Sequence, residues 1–520
     1  LKEADQSRRG RALAIRLNAA KAALDLPGYV SHPVNSDESI PGVPGNFSKA
    51  LPHDSEGMVD PVAYASLRSA CLSGKETDFE AVSLGGAAKL ADPQAGWAFS
   101  LEGGDPFDFS VGAAPSFRSA ETAGEMVELY WHALLRDVPF ADYTKDGSGG
   151  AGLAMDASAD LSLLTNFHGP KQSSFVTPST LFRSIVPGAV GGPYVSQFLY
   201  KSIPTGPVTY EQKYPVPAAG ADFMVSDSEW LAVQNGAPRS GPSLGSAPRY
   251  LINARDLGEY MHRDFSYQAF LNAGLVLLGA KVNNAVATSA QLQLPAVPSV
   301  LNPANPYRRY TKQGGFATFG GPHLLDQVAR VAVEALRAVW CQKWRFHRRL
   351  RPEEYGGRVH YTGPTNKHGL HADVLNSTAL QRIRTKNGTA FLPMAYAEGC
   401  PVHPAYPSGH ATIAGACVTI LKAFFDGNAV IGNPVQPNTD GSAFEAVSGS
   451  LTVEGELNKL AANVAIGRNL AGVHWRTDAH EGMLLGEAVA IAYLKSSRFQ
   501  WNETFAGATF RRFDGTTVTV

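Results

Sequence analysis

Apolar residues recur at intervals of three and four over Arg11–Leu24 and Glu121–Leu135, which predicts amphipathic helices in the first half of the chain. Between them lie turn-rich segments, among them Gly42–Gly45, Gly147–Gly152, Pro187–Pro193 and Pro204–Pro217. From about Asn253 the pattern becomes more regular. Tyr260–Leu278 and His323–Trp340 each read as one long helix; in the second, Leu324, Leu325, Val328, Val331, Ala335, Leu336 and Val339 trace one face. Pro352 is expected to end that helix together with its basic tail, because proline lacks an amide hydrogen and clashes with the preceding turn. Further helices are predicted over Ala411–Phe425, Glu456–Arg468 and Asp478–Tyr493. Short strands fit Pro207–Tyr210 and Phe510–Val520, where Asp514-Gly515 is a hairpin turn signal. No internal repeat and no strand–helix alternation is visible. The pattern predicts a mainly α protein, its helices packed as bundles, with a few short β-hairpins and long irregular connections.

Composition narrows this little. With 520 residues, 44% hydrophobic and 18% charged, the chain can build more than one core. The division expected is a helical and irregular region over residues 1–250 for packing and oligomer contacts, and a helical bundle region over 251–520, together forming one continuous fold. Lys+Arg 45 against Asp+Glu 46 leaves a formal charge of −1, which argues against nucleic acid or an anionic membrane as partner. The longest apolar stretch, Ala411–Leu421, falls short of the ~20 residues that cross a bilayer. Cys71, Cys341, Cys400 and Cys417 form no framework of disulfides and no C-x-x-C pair. The compartment stays open among secreted, periplasmic and cell-wall locations. The chain begins at Leu1, which leaves room for a removed leader.

Three segments carry candidate chemistry. In Lys343–Pro352 six basic side chains, counting His347, crowd into nine residues at a helix end. Alone this reads as a solvated basic patch favoured by the helix dipole, although Arg351, preceding a proline, is pushed out of helical geometry and can turn inward. In His403–His410 the run Pro407-Ser408-Gly409-His410 opens an apolar helix with Ser408 as candidate N-cap. Its bland reading is a capped buried helix; its functional reading is a set of free amides at a positive dipole end, suited to an oxyanion. In Gly467–Asp478 Arg468 and Asp478 flank His474. If the following helix begins early, Asp478 sits one turn from His474 and can fix its tautomer. Together the segments supply three permanent cations, a hydroxyl, helix-start amides and two histidines, the inventory for one multiply charged oxyanion.

In this order Lys-x7-Arg-Pro, Pro-Ser-Gly-His and Gly-Arg-x5-His resemble the vanadium-dependent haloperoxidases, which share an active-site scaffold with acid phosphatases of the phosphatidic-acid-phosphatase superfamily. The likeness is strongest to algal and cyanobacterial bromoperoxidases. It extends to Leu51-Pro-His-Asp, Asn253-Ala-Arg-Asp-Leu257, Phe319-Gly-Gly-Pro-His323, Phe391-Leu-Pro-Met394, Gly415–Phe425 and Glu456-Leu-Asn-Lys-Leu460. The resemblance implies two four-helix bundles and vanadate as cofactor. His474 would be the vanadium ligand, with Lys343, Arg351, Arg468, Ser408 and Gly409 on the oxygens. His410 would be the acid–base residue, and His403 an additional histidine that affects halide oxidation. Asp256 matches a buried acid expected to pair with Arg468. Vanadium(V) would act as a Lewis acid toward hydrogen peroxide; Lys343 and a proton from the His410 region would polarise the peroxide for attack by halide. The resulting hypohalous acid would halogenate a small organic nucleophile. Relatives form homodimers or larger shells.

Two departures stand out. Red-algal relatives carry an acidic calcium-binding loop before the Phe-Gly-Gly-Pro-His region, whereas Tyr307–Gly315 here is basic, which argues against calcium there. Trp340, three residues before Lys343, either shapes the halide pocket or closes a core face. The resemblance implies bromide, and iodide with it, as the halide oxidised; extension to chloride stays open. Phosphate fits the same pocket, so an acid phosphatase with His474 as nucleophile, His410 as acid and Asp478 behind His474 is the main rival. A silent oxyanion-binding protein is a further one.

Overall fold

The chain is described from a computed structural model over residues 2–24, 31–145, 149–283 and 285–520. Its helices are α1 Lys2–Leu24, α2 Pro61–Ser73, α3 Glu76–Glu80, α4 Ala120–Leu134, α5 Gly150–Ser162, α6 Asp227–Gln234, α7 Ala254–Arg263 and α8 Gln268–Leu278. There follow α9 Gly321–Cys341, α10 Pro352–Tyr361, α11 Ala372–Leu375, α12 Thr378–Asn387, α13 Gly409–Phe424, α14 Val453–Leu470 and α15 Arg476–Ser497. The mainly α expectation holds.

Helices α9, α13, α14 and α15 pack on one another as a four-helix bundle, with α13 at its centre. Almost every residue of α13 is buried, as its all-round apolar sequence requires. Glycines let α13 and α15 come unusually close. A Cβ on Gly486 would lie 1.9 Å from the Thr412 carbonyl oxygen, and one on Gly415 would lie 2.1 Å from that of Met483. This crossing holds the start of α13 beside the start of α15, where the Ser408 amide donates to the Asp478 carbonyl at 2.9 Å. A second helical group surrounds α4, which lies against α5, α10, α11 and α12 and also touches α14. The largest apolar cluster draws on both halves of the chain, from Phe117 to Val520.

Strands are short and peripheral. β1 Ile203–Thr205 and β2 Val208–Tyr210 form a hairpin, as do β9 Thr509–Arg511 and β10 Thr517–Thr519, with Thr517 opposite Arg511. β3 Lys281–Val282 runs parallel to β4 Gln293–Leu294, while β5 Val430–Ile431 pairs with β8 Leu451–Thr452 and β6 Val435–Pro437 with β7 Phe444–Ala446.

Two helix expectations are corrected. Tyr260–Leu278 is not one helix: α7 ends at Arg263, and Asp264 takes an extended conformation (φ −67°, ψ 154°) before α8 begins at Gln268. The break turns the Asp264 carboxylate toward His410. Pro352 does not terminate the helix that carries the basic run. That helix, α9, gives way to a π-helical turn over Gln342–His347, and Pro352 instead sits at the first position of α10, where its missing amide hydrogen costs nothing. Among the described residues no helix is long and apolar enough to cross a membrane.

Candidate oxyanion site

The π-helical turn aims Lys343 inward, and its side chain is fully buried. Its Nζ donates to the carbonyls of Pro404 and Ala405, both at 2.7 Å. Eight residues on, Arg351 is extended (φ −82°, ψ 156°), as the following proline demands. Its guanidinium is buried, donating from Nε to the His403 carbonyl at 2.8 Å and from Nη1 to the Val473 carbonyl at 2.7 Å. The rest of the basic run is not a solvated patch. Arg348 pairs with Glu38 at 2.9 Å, Arg349 with Asp478 and Glu125, and Arg345 stacks 4.0 Å above the Trp97 ring. His347 packs edge-on to Tyr406.

The second segment enters as the loop before α13. Ser408 is buried and caps the helix, its Oγ accepting from the Ala411 amide at 3.4 Å. The Ser408 amide bonds the Asp478 carbonyl, which holds the start of α13 beside the residue that backs His474. Gly409 packs closely on Trp340: an added Cβ would stand 3.1 Å from its ring and press it aside. Trp340, half-buried, donates from Nε1 to the Ala91 carbonyl and lies 4.9 Å from the His403 ring. It therefore borders the site and packs in a core at once. His403 itself sits with Nδ1 2.9 Å from Arg351 Nη2.

The third segment closes the ring. Arg468, at the end of α14, donates to the Met261 carbonyl at 3.0 Å and lies 5.2 Å above the Tyr396 ring, with its buried Nε unpartnered. Gly472 takes a positive φ of 88° and reverses the chain, bringing His474 beside Arg351. Because α15 begins at Arg476, Asp478 lies in its first turn, and its Oδ2 is 2.8 Å from His474 Nδ1. An ionised carboxylate only accepts, so Nδ1 carries the hydrogen and the Nε2 lone pair faces Arg351 Nη1 at 3.0 Å. The structure thus brings Lys343, Arg351, His403, Ser408, Gly409, Arg468 and His474 to one place.

His410 stands at the edge. It is 28% exposed where its neighbours are buried, and its Nε2 lies 3.2 Å from Asp264 Oδ1. Asp256 is corrected: it does not reach Arg468. Its carboxylate takes the Arg249 guanidinium at 2.8 and 3.1 Å and the Ile252 amide, consumed at the start of α7. The acid from this part of the chain that does reach the site is Asp264, at the other end of the same helix. Sequence reasoning passed over it because it sat inside an expected helix; the only signal was a helix-poor Asp264-Phe-Ser266 stretch within an apolar run.

Burial first, then the charges of Arg351 and Arg468, push the Lys343 ammonium well below the usual lysine range. Burial and the same cations hold His474 and His403 well below the histidine range, so both imidazoles are neutral. His410 is lowered less, because Asp264 counters its burial. Among the described residues none of Lys343, Arg351 and Arg468 has a carboxylate within 4.0 Å. Their partners are carbonyls, imidazoles and a ring face. Buried positive charge without a counter-charge is costly, and an anion in the pocket removes that cost.

A helical-bundle protein with a buried cationic cradle, a helix start and a neutral imidazole has the donor set that suits an oxyanion. The family described as VCPO second helical-bundle domain matches residues 324–503. A vanadium-dependent bromoperoxidase of Ascophyllum nodosum is 34% identical over 98% of this chain and 93% of its own length. One of Corallina officinalis is 33% identical over 99% of both. The solved structure of the second vanadate-dependent bromoperoxidase of Ascophyllum nodosum, described as homohexameric, superposes with a TM-score of 0.88 at 30% identity, covering 98% of this chain and 90% of that one. The chain belongs to the vanadium-dependent bromoperoxidase family.

Proposed function

We propose that this chain binds vanadate between Lys343, Arg351, Arg468, Ser408, Gly409 and His474 and uses hydrogen peroxide to oxidise bromide to hypobromous acid. The observation that carries the reading is the set of three buried basic side chains with no carboxylate within 4.0 Å among the described residues, beside a neutral imidazole whose Nε2 lone pair faces Arg351. When bound, vanadate supplies a Lewis-acidic centre that activates peroxide without a change of metal oxidation state. His474 offers Nε2 to the vanadium, while its Nδ1–H is held by Asp478. The cations neutralise the oxyanion and withdraw electron density from whatever oxygen they face. The Ser408 hydroxyl and the first amides of α13 supply directional donors.

His410, the partly exposed member, moves protons at the pocket mouth, its Nε2 steadied by Asp264. Oxidation of bromide by peroxide consumes one proton and releases water beside the hypohalous acid, so a group that delivers a proton at this edge has a defined task. His403 and Trp340 shape the halide approach. Iodide, more easily oxidised than bromide, is a second substrate. Phosphate, of the same shape and charge type as vanadate, competes for the cradle. A homo-oligomer fits the hexameric relative and the exposed Leu13 and Leu17 of α1, 58% and 60% accessible in the single chain.

The test strips the protein with chelator at low pH, restores vanadate in phosphate-free buffer and follows peroxide-driven bromination of a dione. Vanadate-dependent bromination that phosphate blocks is the expected result. Turnover of a phosphate ester inhibited by vanadate would overturn the reading in favour of a phosphatase.

A further inference from the structure

Directly behind the anion pocket lies a buried charged group that the proposed chemistry does not use. Arg349 is 1% exposed and its side chain meets five partners. Nη1 donates to Asp478 Oδ1 at 3.0 Å and to Thr477 Oγ1 at 2.8 Å. Nη2 donates to Glu125 Oε2 at 2.7 Å and to Thr122 Oγ1 at 3.3 Å. The guanidinium lies 4.7 Å from the centre of the Trp475 ring. Its backbone works in the same direction: the Arg349 carbonyl accepts from the Ala405 amide at 3.0 Å, and the Ala405 carbonyl in turn accepts from Lys343. Glu125 completes the bracket from α4, its other oxygen accepting from the Thr477 amide at 2.5 Å. One residue therefore ties α4, the first turn of α15 and the loop before α13 together.

We propose that Arg349, held by Glu125, is a positioning residue of the anion pocket: it fixes the Asp478 carboxylate behind His474 and thereby aims the Nε2 of that ring into the cradle. The two oxygens of Asp478 have separate partners. Oδ2 accepts from His474 Nδ1 and from the Trp475 amide, and Oδ1 accepts from Arg349. A carboxylate rotates easily about its terminal torsion, so the oxygen that faces His474 keeps its place only while the other is anchored. A planar five-donor guanidinium anchors two carboxylates and two hydroxyls in fixed directions, which an ammonium cannot reproduce. Stability is a poor reason for such an arrangement, since buried ion triads are commonly matched or surpassed by apolar packing of similar volume. Aiming a ring nitrogen is a better one, because supports behind a metal-binding histidine typically govern affinity by ~10- to 100-fold.

The inference rests on the reading of His474 as the residue that meets vanadium, and its test separates the two. Protein labelled with 15N-histidine and stripped of vanadate is examined for the downfield Nδ1–H proton of His474, assigned by its loss in His474→Gln. Vanadate affinity is measured on the same samples by calorimetry. In Arg349→Met the Nδ1–H signal is expected to shift upfield or broaden and vanadate affinity to fall by ~10- to 100-fold. Arg349→Lys is expected to recover part of both, and Glu125→Gln to show a smaller change in the same direction. An unmoved Nδ1–H signal in a cooperatively folded Arg349→Met overturns the proposal, whether or not affinity falls. If Arg349→Met does not fold, the isosteric Glu125→Gln decides in the same way. A moved signal with unchanged vanadate affinity keeps Arg349 as the support of His474 and removes His474 as the vanadium ligand.

Discussion

Two layers of buried charge meet at Asp478, and they keep opposite company. On one side Lys343, Arg351 and Arg468 face carbonyls, imidazoles and a tyrosine ring. On the other, Arg349 and Arg476 face Glu125, Glu128 and Asp478, with Arg349 reaching Glu125 at 2.7 Å and Arg476 Nε reaching Glu128 at 2.8 Å. The residue types are the same and the burial is the same. The difference is whether the protein supplies the counter-charge. Where it does so by direct contact, the ions brace helices; where Asp478 acts only at a distance, a bound anion would relieve the remaining positive charge. A buried arginine is thus no mark of a site by itself, whereas a group of buried cations without acids is one.

The comparison can be broken by substitution. The largest effect belongs to His474→Ala, expected to abolish vanadate retention while circular dichroism and the melting transition stay those of the folded protein. Retention of tight binding would refute the ligand assignment. Next comes a contrast between the layers. Arg468→Ala is expected to weaken vanadate about 100-fold by calorimetry, the loss of one charge-assisted contact in a dry pocket. Lys343→Met should cost the vanadate-free protein little, since relief from Arg351 and Arg468 offsets much of the loss of the two carbonyl bonds its Nζ makes. Arg476→Met in the paired layer should instead cost ~3–5 kcal/mol in chemical denaturation, because it strands Glu128. Equal stability losses in both layers would erase the distinction.

A smaller effect is expected at the mouth. Asp264→Asn should lower kcat by roughly tenfold, less than the ~100-fold or more that a positioned acid–base group itself contributes, and shift the pH–rate profile downward. An unchanged profile would detach Asp264 from the reaction.

Outside the comparison of layers stands the dependence of the fold itself on acid. Burial holds His53 and His132 down at about 4, against 6.5 for the unfolded chain. Between pH 6.5 and about 4 the unfolded state therefore binds more protons, so the stability these neutral rings contribute is present above 6.5 and lost as pH falls toward 4. Denaturation midpoints across that range should decline, and His132→Phe should flatten part of the slope; a midpoint independent of pH would contradict it.

What sequence reveals here follows from distance along the chain. The cradle was legible because each of its three pieces is a local signal. A basic run abuts a proline, a Pro-Ser-Gly opens an apolar helix, and a histidine stands one turn before an aspartate. The long helices were legible for the same reason, through spacing at three and four. The supports were not. Asp264 lies 146 residues from His410, and Glu125 lies 224 from Arg349. Neither sits in a pattern that distinguishes it from any other polar residue at a helix end or on a helix face. The break between α7 and α8 was hidden because Phe265, Tyr267 and Phe270 continue the apolar spacing across it. Asp256 misled because its position beside a helix start gives it a local partner, Arg249, that no spacing rule weighs against a distant one.

The central claim, that the uncompensated cations await a multiply charged oxyanion, is tested most directly by calorimetric titration of orthovanadate into the stripped wild-type protein. The account predicts binding of one vanadate per chain, competed by phosphate, weakened by added salt far less than a surface contact, and absent in His474→Ala. Binding without defined stoichiometry, or equal binding by His474→Ala, would contradict it.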